Sequence, residues 1–102
     1  MQRKFDVAII GCGIIGCSIA YYLAKEHIDV AVFEEKQLGS RSTTAAAGML
    51  GAHSECDDLE VFYPFARSSQ LMYFQLQEEL KELSGINIEL RKDGILQLAY
   101  SE

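Results

Sequence analysis

Three glycines at fixed spacing carry the clearest chemical signal in this chain. Gly11, Gly13 and Gly16 follow an uncharged apolar run, and a helical pattern follows the last of them. The first glycine permits a sharp turn, the second lets the backbone approach a pyrophosphate, and the third permits close helix–strand packing. The first amides of the helix, those of Ile14 and Ile15 included, would point at the phosphates. The pattern predicts a dinucleotide-binding turn; the alternative is a plain tight turn.

A carboxylate follows at the spacing expected of a ribose-binding residue. Glu34 ends a second apolar run and lies 18 positions after Gly16, close to the roughly 20 of the dinucleotide fingerprint. Glu35 comes next, with no arginine adjacent in sequence. Two carboxylates would repel a 2′-phosphate, so NADP is disfavoured. The alternative for Glu34 is a solvated charge at the end of a strand.

These residues need a strand, a helix and a second strand to position them. The apolar patterns predict a strand at residues 7–10, a helix from about Ile14 to Lys25, and a parallel strand at residues 29–34. This is a βαβ unit of the α/β class. A simple NAD domain would continue with a helix and a third strand. Here residues 39–53 are instead rich in small and hydroxyl side chains, which suits contact with an extended ligand better than a flexible loop.

The glycine turn, Glu34 and the segment from Arg41 to His53 together resemble the N-terminus of FAD-dependent amino-acid oxidases of the D-amino-acid oxidase superfamily. That segment reads Arg-Ser-Thr-Thr-Ala-Ala-Ala-Gly-Met-Leu-Gly-Ala-His. The resemblance is closest to bacterial glycine oxidases of the thiamine-biosynthesis type and runs through the whole chain. Many flavoproteins share the first motif, whereas the second is much more specific. Cys12 departs from the family, which often has glycine or alanine at this position.

The resemblance implies FAD as the cofactor and a role for each matching residue. The three glycines would cradle the diphosphate, and Glu34 would hold the adenosine ribose. The phosphates and ribityl chain would meet Arg41, Ser42, Thr43 and Thr44. The isoalloxazine ring would lie beside Ala46, Ala47, Gly48 and Met49. No catalytic residue and no metal ligand is assigned. A short turn at residues 45–47, capped by Ser or Thr, would aim further amides at the ligand.

The resemblance also implies a reaction. A hydride would pass from the substrate Cα to the flavin, giving an imine, and O2 would then be reduced to peroxide. Glycine is implied as the substrate, with sarcosine and D-amino acids as alternatives. The relatives are several times longer, so we expect this chain to be an incomplete domain with little or no activity by itself. The competing hypotheses are a non-catalytic nucleotide-binding or assembly module and an NAD dehydrogenase.

The second half of the chain predicts a long helix and a hairpin. Apolar residues recur at helical spacing from about Phe62, and Ser84-Gly85 ends the pattern. Alternation in residues 86–98 around Asp93-Gly94 predicts a hairpin. Under the resemblance, residues 1–84 belong to the FAD-binding domain, and residues 85–102 begin an antiparallel substrate-binding domain. His53 is expected to be a hydrogen-bonded loop residue.

Composition limits the partners and the compartment. The net charge is −6, which argues against nucleic acid and anionic lipid. The odd cysteine count, Cys12, Cys17 and Cys56, without a CxxC motif, fits free thiols in the cytoplasm. We expect Cys12 and Cys17 to pack as small apolar residues at the turn rather than to serve in redox chemistry. The expected partners are a small amino acid or amine and O2, and the relatives form homo-oligomers.

Overall fold

A computed structural model describes residues 2–39, 41–54 and 60–101. Ser40, within the predicted ligand-contact segment 39–53, and Cys56, a predicted free thiol, lie outside the described residues. The chain divides into two compact units, residues 1–48 and 49–102, and each is described by itself. No helix among the described residues has both the length and the apolar character needed to cross a membrane.

The first unit is a βαβ arrangement. Strand β1 (Val7–Ile10) and strand β2 (Val30–Phe33) pair in parallel, with Val7 opposite Val30 and Ile10 opposite Phe33. Helix α1 (Ile14–Lys25) connects them and contacts both strands. The amide of Gly11 donates to the Phe33 carbonyl at 2.8 Å, which carries the ladder one residue past β1. The predicted strands and helix are confirmed, and the carboxyl ends of both strands lead into the candidate site.

A short helix follows β2 earlier than expected. Helix α2 (Ser42–Ala45) is a single turn, and Arg41 precedes it without a side-chain cap. The prediction of a capped turn at residues 45–47 is therefore wrong, because the hydroxyl residues form the turn themselves. Thr43, which lies within it, directs its hydroxyl to α1 instead.

The second unit is dominated by helix α3 (Phe62–Ser84). Gly85 ends it in the left-handed conformation, with φ of 75°, and donates its amide to the Lys81 carbonyl at 2.9 Å. Both ends agree with the sequence prediction, since Pro64 is tolerated in the first turn and glycine is favoured beyond the last.

The predicted hairpin is not formed. Residues 86–101 contain no strand, although Gly94 has the positive φ that its turn would require. Glu89 also has a positive φ, 56°, which breaks the extended backbone of the first predicted strand. A two-stranded hairpin is marginal without a third strand or a helix to pack on. The division between domains at residue 85 stays a prediction.

Candidate functional site

The Glu34 carboxylate lies against the glycine turn. Its Oε2 accepts the Cys12 amide at 2.7 Å and its Oε1 accepts the Lys36 amide at 3.3 Å. The hydrogen bond from Cys12 is the main cause that lowers the pKa of Glu34 below its ordinary value. The bond from Lys36 and the positive charge of Arg41 lower this pKa further. A carboxylate has acceptor capacity beyond two hydrogen bonds, so it can still accept from a ribose hydroxyl. The predicted position of Glu34 beside the turn is confirmed; its ribose contact stays a prediction.

The N-terminus of α1 faces the same turn with little covering it. Gly13 occupies the N-cap and supplies no side-chain hydrogen bond, and the first turn holds no acidic residue. The Thr43 hydroxyl accepts the Ile14 amide at 2.9 Å. The amides of Ile15 and Gly16 donate to no other group in the described part of the chain. A helix start of this kind attracts anions through its free amides and its dipole.

The backbone around two of the glycines is too close for a side chain. A Cβ on Gly16 would lie 2.1 Å from the Gly11 carbonyl oxygen, so the glycine is required where α1 approaches the end of β1. A Cβ on Gly13 would lie 2.9 Å from the Thr43 hydroxyl. Gly11 turns the chain with φ of 98°. The turn thus has the bare, close-packed form that a bound diphosphate needs.

Hydrogen bonds tie the hydroxyl-rich segment to the glycine turn. The Gly39 amide donates to the Cys12 carbonyl at 3.1 Å, and the Thr44 amide donates back to the Gly39 carbonyl at 3.1 Å. With the Thr43–Ile14 bond, these contacts bring the two sequence motifs into one site. Ser42 and Thr44 lie on the same short helix as Thr43.

Arg41 pairs with an acidic side chain that the sequence did not place beside it. Its guanidinium forms an ion pair with Glu35, and both side chains are largely exposed. The sequence showed no arginine beside the two carboxylates, but the fold brings one to Glu35 across six positions. Neutralising that carboxylate weakens the electrostatic argument against a 2′-phosphate. A contact of Arg41 with phosphate stays a prediction.

The residues expected beside the flavin ring belong to both units. Ala46, Ala47 and Gly48 end the first unit, and Gly48 has a positive φ of 80°. Met49 begins the second unit. There it lines an open cavity of about 380 Å³, together with Leu50, Gly51, Ala52 and six residues of α3. Three of the four residues therefore share a unit with the glycine turn, and their contacts with the flavin ring, like that of Met49, stay a prediction.

His53 is a hydrogen-bonded loop residue, as predicted. Its Nε2 lies 2.7 Å from the Tyr63 hydroxyl, and the two rings meet edge to face with their centroids 5.2 Å apart. In residues 2–39, 41–54 and 60–101, no group of three or more His, Cys, Asp or Glu side chains is placed to hold a metal ion.

Two contributors to the turn were missed at the sequence level. Cys12 supplies the amide that holds Glu34, and Gly39 holds the Cys12 carbonyl. Hydrogen bonds made by backbone groups cannot be read from side-chain types. A glycine does indicate that a positive φ is possible, and Gly39 has a φ of 66°. The prediction that Cys17 packs behind the turn is wrong, since this side chain is exposed.

Comparison with known sequences places residues 6–102 in the family described as FAD dependent oxidoreductase. The chain is 54% identical to a glycine oxidase of Bacillus licheniformis and 51% identical to that of Bacillus subtilis, each over all 102 residues. In both cases it spans about 28% of the relative's length.

Solved structures agree with the sequence comparison. The crystal structure of glycine oxidase from Geobacillus kaustophilus superposes on 89% of this chain with a TM-score of 0.83 at 44% identity, and the match covers 25% of that protein. Glycine oxidase from Bacillus cereus gives a TM-score of 0.75 at 40% identity. Because the family match covers nearly the whole sequence and the βαβ unit has the expected glycine turn, the chain belongs to the FAD dependent oxidoreductase family.

Proposed function

We propose that this chain is the N-terminal FAD-binding segment of a longer flavin-dependent oxidase. The oxidase would convert glycine or a related small amino acid or amine to the imine and reduce O2 to hydrogen peroxide. The observation that carries the proposal is the convergence of Glu34 and Thr43 on two backbone amides of one bare glycine turn.

The residues of the turn suit the two ends of the adenosine diphosphate part of FAD. The free amides of Ile15 and Gly16 would bind phosphate oxygens, with the α1 dipole adding to the attraction. Gly13 would let the backbone come close, since it has no Cβ. Glu34 would accept from the ribose with the acceptor positions that the Cys12 and Lys36 amides leave free.

The substrate assignment is supported by the relatives rather than by this chain's own side chains. Three of them, 44–54% identical over all 102 residues, are named as glycine oxidases. A sarcosine oxidase subunit is more distant, at 31% identity, which favours glycine over sarcosine. FAD when bound supplies a two-electron acceptor, and the protein orients and shields the reacting groups.

The remaining proposals concern organisation and setting. Residues 1–84 would belong to the FAD-binding domain, and residues 85–102 would begin the substrate-binding domain. Arg41, Ser42 and Thr44 would contact the phosphates and ribityl chain, and residues 46–49 would lie beside the flavin ring. The cysteine content supports a reducing compartment such as the cytoplasm. The complete oxidase would form a homo-oligomer.

Ligand binding by the 102-residue chain tests the FAD assignment. Titration of FAD, monitored by quenching of flavin fluorescence, should show saturable binding that exceeds binding of NAD and NADP. Glu34→Gln, which keeps the side-chain shape, should weaken it, whereas Glu89→Gln, well away in sequence and in the second unit, should not. Preference for NAD over FAD would overturn the proposal in favour of a dehydrogenase.

Peroxide formation tests the reaction. The chain alone should produce no peroxide with glycine, since it spans about 28% of the relatives' length. The longer protein that contains it should produce peroxide with glycine faster than with sarcosine or a D-amino acid. A longer protein that binds FAD but yields no peroxide with any of these would support the non-catalytic module instead.

A further inference from the structure

Two thiols meet beside the glycine turn, one from the turn and one from helix α1. The Sγ atoms of Cys12 and Cys17 are 2.9 Å apart, closer than the roughly 3.5–4.0 Å at which non-bonded carbon atoms make contact. The distance is only about 0.9 Å more than a disulfide bond. The exposed Cys17 thiol also lies 3.7 Å from the Cys12 carbonyl. The pair spans the segment that carries Gly13 and the first amides of α1.

The backbone already holds both cysteines in place for bonding. The Cys17 amide donates to the Gly13 carbonyl at 2.9 Å as part of α1. Cys12 is held on both sides, because its amide donates to Glu34 and its carbonyl accepts the Gly39 amide. Two sulfurs this close can be bridged with only a small local movement of the turn, because they must approach by about 0.9 Å.

We propose that Cys12 and Cys17 form a reversible disulfide under hydrogen peroxide, and that the oxidised turn binds FAD more weakly. This differs from the expectation that the two cysteines serve only as packing residues. Peroxide is the product that the oxidase proposed above would release, so the source of the oxidant and the effect on FAD rest on that proposed function. The ability of the two thiols to form a disulfide does not depend on that function.

The oxidation balances with the two thiols and one peroxide. The exposed Cys17 sulfur attacks a peroxide oxygen, the O–O bond breaks, and a sulfenic acid and one water form. The Cys12 sulfur then displaces the sulfenic oxygen, which leaves as a second water when the S–S bond forms. The two sulfurs lose two electrons and the two peroxide oxygens gain them. A reducing dithiol reverses the bond.

Protonation of Cys12 decides the order of these steps. The hydrogen bond with Cys17, desolvation, and the charges of Cys17 and Glu34 raise the pKa of the Cys12 thiol. Cys12 therefore keeps its proton at neutral pH and enters second. Since the thiolate is the reactive form, the raised pKa makes Cys12 less ready to react with peroxide first.

Closing the bond disturbs the turn in a definite way. The sulfurs must approach by about 0.9 Å, and the Cys12 peptide carries the amide that holds Glu34 at 2.7 Å. Moving this peptide shifts Glu34 relative to the amides of α1. We expect the oxidised chain to bind FAD about fivefold more weakly or worse, the lower end of typical coupling between two sites.

Trypsin makes the test simple, because no lysine or arginine lies between Lys4 and Lys25. Both cysteines therefore fall on one peptide, residues 5–25, whereas Cys56 falls on residues 42–67. The reduced chain is treated with peroxide, alkylated and digested with trypsin, and the peptide masses are measured by mass spectrometry. Peptide 5–25 should appear unalkylated and lighter by two hydrogens, and it should become doubly alkylated after dithiothreitol. Cys56→Ser should behave like the wild type.

The contrary outcomes are equally distinct. A peptide 5–25 that stays alkylated, gains only oxygen, or becomes linked to peptide 42–67 would overturn the proposal. FAD affinity is measured on the same samples: oxidation should weaken it in the wild type and leave Cys17→Ser unchanged. A disulfide without loss of affinity would refute the effect on FAD. If the reduced chain bound no FAD, the proposed function would fail, while the mass measurement would still decide on the disulfide.

Discussion

Replacing Gly16 by alanine tests whether close packing of α1 on β1 builds the site. The added Cβ would lie 2.1 Å from the Gly11 carbonyl oxygen, 3.2 Å from the Gly11 carbonyl carbon and 3.4 Å from Ile9 Cγ2. The first two contacts are with backbone, so no side chain can rotate away. Carbon and oxygen normally meet at about 3.3 Å or more, so α1 must move by roughly 1.2 Å.

The magnitude follows from two opposing terms. Alanine in place of glycine favours a helix by at most about 1 kcal/mol, and by less in the first turn. Forced overpacking costs about 1–3 kcal/mol, and a clash of backbone with a carbonyl oxygen belongs at the upper end. We expect Gly16→Ala to lower the free energy of unfolding by about 1–2 kcal/mol.

FAD binding should suffer more than stability does. The same movement carries the amides of Ile15 and Gly16 away from the phosphates, and a hydrogen bond to a charged group contributes about 1.5–3 kcal/mol. Loss of one such bond lowers the affinity about tenfold or more. Urea denaturation followed by far-ultraviolet circular dichroism gives the stability, and flavin fluorescence titration gives the affinity.

Gly13→Ala is the matched control. Its Cβ would meet the Thr43 hydroxyl at 2.9 Å, a side chain that can rotate, and its φ is −82°, so no backbone strain arises. Gly13→Ala should be less destabilised than Gly16→Ala but should still bind FAD poorly, because a methyl group occupies the phosphate approach. If Gly16→Ala retained wild-type stability and affinity, the close contact between α1 and the end of β1 would be refuted.

Three further substitutions test single contacts. Because the pKa of Glu34 is lowered in the folded chain, its carboxylate stabilises the fold above the pKa of the unfolded chain, and this effect is lost as pH falls through the folded value. The stability advantage of the wild type over Glu34→Gln, from urea titrations at several pH values, should therefore vanish in acid; an advantage independent of pH would contradict this. Thr43→Val removes the acceptor of the Ile14 amide and should lower the free energy of unfolding by about 0.5–1.5 kcal/mol in the same titration. An unchanged stability would argue against this hydrogen bond. Tyr63→Phe removes the hydrogen bond to His53; it should cost a similar amount, about 0.5–1.5 kcal/mol, and shift the His53 ring signals in NMR spectra, and an unshifted spectrum would speak against the pair.

The elements with strong local signals were predictable from the sequence. Helix α1 and helix α3 begin and end within a residue of the expected positions, because glycine marks one boundary of each and apolar periodicity fills the rest. The proximity of Glu34 to the turn was also predictable, since the carboxyl ends of two adjacent parallel strands meet at one edge.

Features that depend on backbone conformation or long-range pairing were not predictable. Residues 86–98 alternate as a hairpin should, yet Glu89 has a left-handed backbone and no strand forms. The ion pair of Arg41 with Glu35 joins residues six positions apart, and no pattern in the sequence predicts that the chain brings them together. Cys17 was expected to pack as a small apolar residue, but periodicity alone does not tell which face of an all-round apolar helix is covered.

The glycine pattern reveals the phosphate-binding turn, but it does not reveal which amides of the turn are free to bind a ligand. Glu34 and Thr43 each accept an amide, from Cys12 and Ile14, that a glycine fingerprint alone would leave for the ligand. These bonds hold the turn in one shape before binding, and a preformed shape lowers the ordering cost of binding. They also reduce the number of amides left for phosphate. The affinity of this turn for FAD therefore depends on the side chains that hold it as much as on the glycines. Cys12 contributes to both, because it lies between two of the glycines and its amide binds Glu34.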